Sequence, residues 1–354
     1  MWTVFILMPR KTKSTAAYSC CKAKDFRKQE EKIMEQRFIV SSSPHIKSNE
    51  SISSVMLDVI IALIPACLAG VYFFGIRALV VILTAIASCV LSEYIFEKIT
   101  KRKNTTGDLS AVVTGMLLAM NLPSTIPLWM TAVGSAFAIV IVKQLYGGLG
   151  KNFMNPALAA RCFMLVAWAG SMSTFIPPFS GFDAVSTATP LAVLKGIQGG
   201  TLPTVMGAFI GERGGCIGET SGLALLIGFA YLLIRRVVDI KIPLCYILSF
   251  GILMYLFGVN TTGETQGYFT LMHLLSGGLM IGALFMATDY VTTPTSPVGQ
   301  VIFGIGCGFL TFAMRRFGSY PDGVSFAILL MNVATPLIER FTIVKPFGEV
   351  KKNG

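Results

Sequence analysis

The sequence predicts an all-α polytopic membrane protein of about ten transmembrane helices, arranged as two inverted five-helix repeats. Three observations lead there. Mean hydropathy is +0.68, with 53% hydrophobic and only 13% charged residues, which lies outside the range of soluble globular chains. Ten apolar runs punctuate the 354 residues. One pattern also occurs twice: TGMLLAMNLPSTIP, an apolar helix and KQLYGGLGKNFMNPALAA, then GGLMIGALFMATDYVTTPTSP, an apolar helix and RRFGSYPDGVSFAILLMN. Each copy reads helix, Pro-Ser/Thr-Pro turn, helix, basic residue, glycine-containing turn, helix. Five spans per half is an odd number, which sets the two halves in opposite orientations.

In chain order, residues 1–53 read as a cytoplasmic N-terminal segment. Its first 33 residues are basic and serine-rich, with an apolar stretch too short for a signal peptide or a span. Gln29 to Lys32 can be encoded by CAG-GAG-GAA-AAG, a purine-rich ribosome-binding sequence, so translation is expected to start at Met34. The alternative is a basic arm lying on the anionic leaflet. The first repeat, 54–170, holds runs near 54–75, 78–97, 109–122, 127–145 and 155–170. The third and fifth are short for a straight span and read as half-helices facing protein or a cavity. Asp58 and Glu93, near span ends, read as interface anchors. Asn152 and Asn155 stand three apart before Pro156, so both amides can converge where a helix begins, either to satisfy backbone or to bind a ligand. Arg161 lies inside the run they open, where an ionisable group marks a functional site.

Residues 171–218 form a loop, followed by the second repeat, 219–345, and a cytoplasmic tail, 346–354. The second repeat's runs fall near 219–236, 242–259, 269–288, 297–314 and 323–341. Counted from Met34 with the N-terminus inside, about fifteen Lys and Arg fall on the inner side and about five outside. Both termini are therefore expected in the cytoplasm and the 171–218 loop outside it. Arg315 and Arg316 fall outside as well and run against the rule.

The +11 net charge does not point to nucleic acid, because the basic residues sit at the ends of apolar runs and in the N-terminal tail, where they face membrane lipid. Eight scattered cysteines without a CxxC motif argue against disulfides or an iron–sulfur site. Two isolated histidines argue against a metal centre.

The most polar stretch of the loop is DAVSTATP, residues 183–190. Thr189 followed by Pro190 and LAVLKG reads as a helix start, with a hydroxyl N-cap and proline at the first helical position. A helix N-terminus favours phosphate. A cap accounts for Thr189 and Pro190 but not for Ser186 and Thr187. Further on, GGCIGETSG sets Glu219 and Thr220 at the expected start of the sixth helix, where they would either cap it or hold a phosphate.

DAVSTATPL resembles the Asp-x-x-Ser-Gly-Ala-Thr flavinylation motif of the D subunits of Rnf, the ion-translocating ferredoxin:NAD oxidoreductase, and of the related B subunits of sodium-pumping NADH:quinone reductases. MEQRFIVSSSPHIKSNESISSVMLDVIIALIPA, GGLGKNFMNPALAARCFM and the stretch from ATDYVTTPTSP to ATPLIER resemble further family segments in the same order, from about residue 34 to the C-terminus. The resemblance implies FMN linked through its phosphate to Thr189 by a flavin transferase, with Asp183 at the head of the motif and Ser186 within it. Thr187 stands where the family usually has glycine. With a flavin present, Asn152 and Asn155 could hydrogen-bond its ring and Arg161 could stabilise its reduced anionic form, the segment of Glu219 and Thr220 resembles one beside the family's flavin region, and the resemblance leaves a noncovalent riboflavin open as a second cofactor. It implies partnership with the other Rnf subunits, A, B, C, E and G, and electron transfer coupled to H+ or Na+ movement. From the residues alone, a small-solute channel or secondary transporter fits the same repeats. A scaffold for redox subunits is the third reading.

Overall fold

Each apolar run becomes helix in a computed structural model that describes residues 51–102, 105–179, 187–197, 199–200, 202–260, 263–318, 320 and 322–342. The expected start at Met34, Asp183, Ser186 and the tail from 346 lie outside the described residues. Among the described residues there is no strand. The first half comprises α1 (Ile52–Phe74), α2 (Ile76–Ile99), α3 (Ser110–Met120), α4 (Leu128–Ala136, continued as a π-helix over Phe137–Gln144) and α5 (Pro156–Ala167). Three short helices follow: α6 (Ala169–Met172), α7 (Pro190–Leu194) and α8 (Val205–Ile210). The second half comprises α9 (Gly222–Ile234), α10 (Lys241–Phe257), α11 (Gln266–Leu275), α12 (Leu279–Ile281, continued as a π-helix over Gly282–Met286), α13 (Pro297–Phe317) and α14 (Val324–Phe341).

Local chemistry sets these limits. Ser51, Asn155, Thr189, Thr265 and Ser296 each accept a backbone N–H of the turn they open, and α5, α7 and α13 place proline in the first turn, where no donor is needed. Helices α1, α2, α13 and α14 are long and apolar enough to cross a membrane, while α3, α4 with its π-helix, α5, α9 and α10 are shorter apolar helices. The sharpest interruption lies in the eighth run, which the sequence reading treats as one span: α11 and α12 meet at 63° across residues 276–278. Outward-facing Leu68, Ile227, Leu248 and Phe309 are exposed, as lipid-facing side chains are.

Packing repeats between the halves. In the first, α2 lies against α3 and α4, and α4 against α5; in the second, α10 lies against α11 and α13, and α13 against α14. Across the halves, first helix meets first, α1 on α9, and last meets last, α5 on α14. The α1–α9 contact is backbone-close, since a Cβ on Gly228 would lie 2.0 Å from the Ala62 carbonyl oxygen. A partly buried latch fixes the same pair: the Tyr231 hydroxyl donates to Asp58 Oδ1 at 2.8 Å, and Arg235 Nε and Nη2 donate to Oδ2 at 3.2 and 3.1 Å. Asp58 thus joins two helices, where the sequence reading makes it an interface anchor. Gly228→Ala is expected to cost about 1–3 kcal/mol by forcing α1 and α9 apart. Thermal unfolding in detergent measures this, and an unchanged midpoint would show that the helices separate freely.

Candidate functional site

Helix α5 connects two pockets. Asn155 opens it and Arg161 sits six residues on, about 9 Å along the axis at 1.5 Å per residue. Around Arg161 lies a pocket of about 600 Å³ whose lining includes Thr189, Arg213, Glu219, Tyr320 and Asp322. Three of the side chains singled out from the sequence, Arg161, Thr189 and Glu219, therefore share one cavity.

Thr189 is half-buried and its Oγ1 accepts the Ala192 N–H at 3.3 Å, starting α7. That helix has five residues, so its dipole is short, and the positive charge in the pocket comes from guanidinium groups instead. Lys195, just after α7, holds it in place by donating to the carbonyls of Gly318 and Tyr320, both at 2.9 Å. Thr187 is exposed, and its backbone N–H donates to the Phe175 carbonyl at 2.9 Å.

The arginines are struts of the break between α11 and α12. Arg315 donates to the carbonyls of His273 at 2.5 Å and Ser276 at 3.0 Å, and its guanidinium lies 5.1 Å above the Phe250 ring. Arg213 donates to the carbonyls of Leu275 and Glu219. Cations placed on the last carbonyls of α11 satisfy groups the helix leaves unpaired. Asp322 ties the cluster together, pairing with Arg161 Nη2 at 2.9 Å and Arg315 Nη2 at 3.4 Å and accepting the Gly278 N–H at 3.4 Å. Burial pushes the Asp322 carboxyl up, but Arg161 and Arg315 outweigh it and hold it below the usual carboxylate range. Gly277 leaves room for this crossing: its φ is +73°, and a Cβ there would lie 2.8 Å from Arg315 Nη2 and 3.2 Å from Asp322 Oδ1. Arg315 is 2% exposed, a buried strut and not the loop charge that the Lys and Arg count takes it for.

Asn152 and Asn155 lie at the other end of α5, in a separate pocket of about 810 Å³ whose lining includes Ser110, Lys143, Thr288 and Asp289. The Asn155 Oδ1 accepts from Ala157 and Leu158 at 3.0 and 3.3 Å, while its Nδ2 donates to the Met286 carbonyl at 3.3 Å. Asn152 Nδ2 donates to the Met154 carbonyl at 3.0 Å. Lys143, at the end of the π-helix, donates to Glu93 Oε1 at 2.6 Å and to Ser110 Oγ at 2.7 Å, and Gln144 Nε2 donates to the same Glu93 oxygen at 2.8 Å. Glu93 is fully buried. It is half of an internal ion pair, not the interface anchor expected from its place near a helix end. The wider π turn carries both neighbours, Lys143 and Gln144, onto one carboxylate, a distortion often found at functional sites.

Thr220 joins neither pocket lining; its hydroxyl donates to the Ile217 carbonyl at 3.2 Å. Helix α9 starts two residues later than Thr220, at Gly222 behind the Ser221 cap. Arg213, Asp322 and Lys143 escape the sequence reading for local reasons: Arg213 stands in a Glu-Arg-Gly-Gly sequence and Asp322 in a Pro-Asp-Gly sequence, both of which read as loop, and Lys143 looks like an end-of-span charge.

The sequence pattern of the NQR2, RnfD, RnfE family matches residues 39–348. Among curated proteins, the chain is 49% identical over 320 residues to the D subunit of the Na(+)-translocating ferredoxin:NAD(+) oxidoreductase complex of Acetobacterium woodii, covering 90% of this chain and 97% of that one. It is 46% identical over 331 residues to the D subunit of the proton-translocating ferredoxin:NAD(+) oxidoreductase complex of Clostridium ljungdahlii, covering 90% and 98%. It is 35% identical over 354 residues to the D subunit of the ion-translocating oxidoreductase complex of Escherichia coli, covering 89% and 99%. With a family match across most of its length and relatives aligned nearly end to end, the chain belongs to the NQR2, RnfD, RnfE family.

Proposed function

We propose that this chain is the D-type membrane subunit of a redox-driven, ion-translocating ferredoxin:NAD oxidoreductase, carrying FMN through a phosphoester on Thr189. The observation that carries the reading is the placement of Thr189: a half-buried hydroxyl, inside the family motif, on a cavity lined by Arg161 and Arg213. The residues fit the group. The α7 cap uses a lone pair of Oγ1, while esterification replaces the hydroxyl hydrogen, so one oxygen can do both. When bound, flavin supplies the ability to pass electrons singly or in pairs.

The chain's own residues would anchor, orient and set the electrostatics of that group, and the remaining carriers would come from the other Rnf subunits, A, B, C, E and G. A flavin transferase is required for maturation. Asn152 and Asn155, with Lys143 and Asp289, make the second pocket the place for a noncovalent riboflavin. The recurrent helix pairing and the bent α11–α12 support two five-helix units, and the Lys and Arg count, with the units inverted, puts both termini in the cytoplasm and Thr189 on the outer side. Gating between the halves would then couple redox state to H+ or Na+ movement. The curated relatives name both ions, so family membership leaves the choice between them open.

The test is direct. Co-expressed with a flavin transferase and denatured in SDS, the chain should carry flavin fluorescence on its gel band and the FMN mass on the peptide containing Thr189. A dark band from the wild-type chain would refute the carrier reading and favour a channel or transporter.

A further inference from the structure

We propose that the buried arginine cluster is an anion seat that grips the phosphodiester of the Thr189-linked flavin, with Arg161 and Arg213 facing the phosphate and Arg315 and Asp322 positioning them. This rests on the reading of Thr189 above and names the residues that would hold its phosphate.

Charge balance carries it first. Arg161, Arg213 and Arg315 contribute three positive charges against two from Asp322 and Glu219, leaving one positive charge over. All three guanidinium groups are nine-tenths or more buried. Uncompensated charge in such a place is costly unless an anion completes it. A phosphodiester carries one negative charge at neutral pH, which matches the excess.

Hydrogen bonding carries it second. Arg161 donates through Nη1 to Asn121 Oδ1 and Ser325 Oγ and through Nη2 to Asp322, leaving its Nε, whereas both bonds of Arg213 go to neutral carbonyls. The Nε atoms of Arg161 and Arg213 are buried with no protein partner, and both side chains line the cavity that holds Thr189. A guanidinium fork suits phosphate oxygens better than a point charge does. Glu219 lines the same cavity and works against an anion, so it trims the excess from two charges to one.

The experiment uses the full chain made without a flavin transferase, in phosphatidylcholine nanodiscs, titrated with FMN and with riboflavin by fluorescence quenching. With the second pocket first saturated with riboflavin, added FMN should bind about tenfold tighter than further riboflavin, since only FMN carries the phosphate. Arg213→Gln should raise the FMN Kd about tenfold and leave that of riboflavin unchanged, while Arg213→Lys keeps part of the preference. Glu219→Gln, which removes the opposing charge and no strut, should tighten FMN. The flavinylated chain should show no FMN preference, its seat being filled. Equal affinities for the two flavins, or Glu219→Gln weakening FMN, would overturn the seat. Loss of the FMN preference on adding phosphatidylglycerol to the nanodiscs would assign the seat to a lipid headgroup and overturn it as well. Attachment to Thr189 is scored separately on SDS gels: a labelled chain without FMN preference when unloaded defeats the seat alone, and an unlabelled chain defeats the reading beneath it.

Discussion

Thr189→Val is expected to yield a folded, membrane-inserted chain with no covalent flavin at all. Valine keeps the shape of threonine and removes its oxygen. The structural loss is a single cap bond to the Ala192 N–H, worth about 0.5–2 kcal/mol, in a five-residue helix that Lys195 also pins to the Gly318 and Tyr320 carbonyls. The functional loss is all-or-none, because no acceptor atom remains. Thr189→Ser restores both the oxygen and the cap, so fluorescence on the denatured band should return. Thr187 is the built-in control: it is exposed, and its backbone is tied to Phe175, so Thr187→Val should keep its flavin. Flavin retained in Thr189→Val, or lost in Thr187→Val, would move the acceptor to the position where the family usually has glycine.

Much of the fold is legible in the sequence because apolar run length and N-cap chemistry are local properties. Pro156, Pro190 and Pro297 each mark a helix start, and the structure starts helices at those residues. The break between α11 and α12 is only partly local. The run from 269 to 288 carries a local mark in Ser276-Gly277-Gly278, with Gly277 at φ +73°, but what holds the bend is the reach of Arg213, Arg315 and Asp322 from distant segments onto its carbonyls and N–H groups. The same distinction divides the candidate site. Thr189 and Arg161 stand out as a motif hydroxyl and a charge in an apolar run, whereas Arg213 and Asp322 lie in glycine-rich turns and gain meaning only when the chain brings them together. Arg315 shows why a charge count reads some residues wrongly in kind: it sits in the last turn of α13, buried, with its guanidinium on the carbonyls of the α11–α12 break, so it is an internal contact and not a loop charge.

Lys143→Met is expected to destabilise the chain by about 3–5 kcal/mol, the cost of leaving a buried charge without its partner. Glu93 is 0% exposed, Lys143 and Gln144 both bond its Oε1, and its Oε2 has no partner, so it has nowhere to turn once the ammonium is gone. Glu93→Gln should cost less. Its amide oxygen still accepts from Gln144, and Lys143 keeps Ser110 and borders the pocket that holds Asn152 and Asp289. The double variant should regain most of the loss in Lys143→Met, because replacing both halves of a buried pair is often nearly neutral. Unfolding of all four proteins in detergent measures this cycle, and equal costs for the two single variants would sink the asymmetry. Ion translocation by the assembled complex then separates two roles for the pair. If the stable double variant translocates normally, Lys143 and Glu93 only hold α4 against α2. If it is stable and inactive, the charge that Lys143 presents to the second pocket belongs to the coupling machinery.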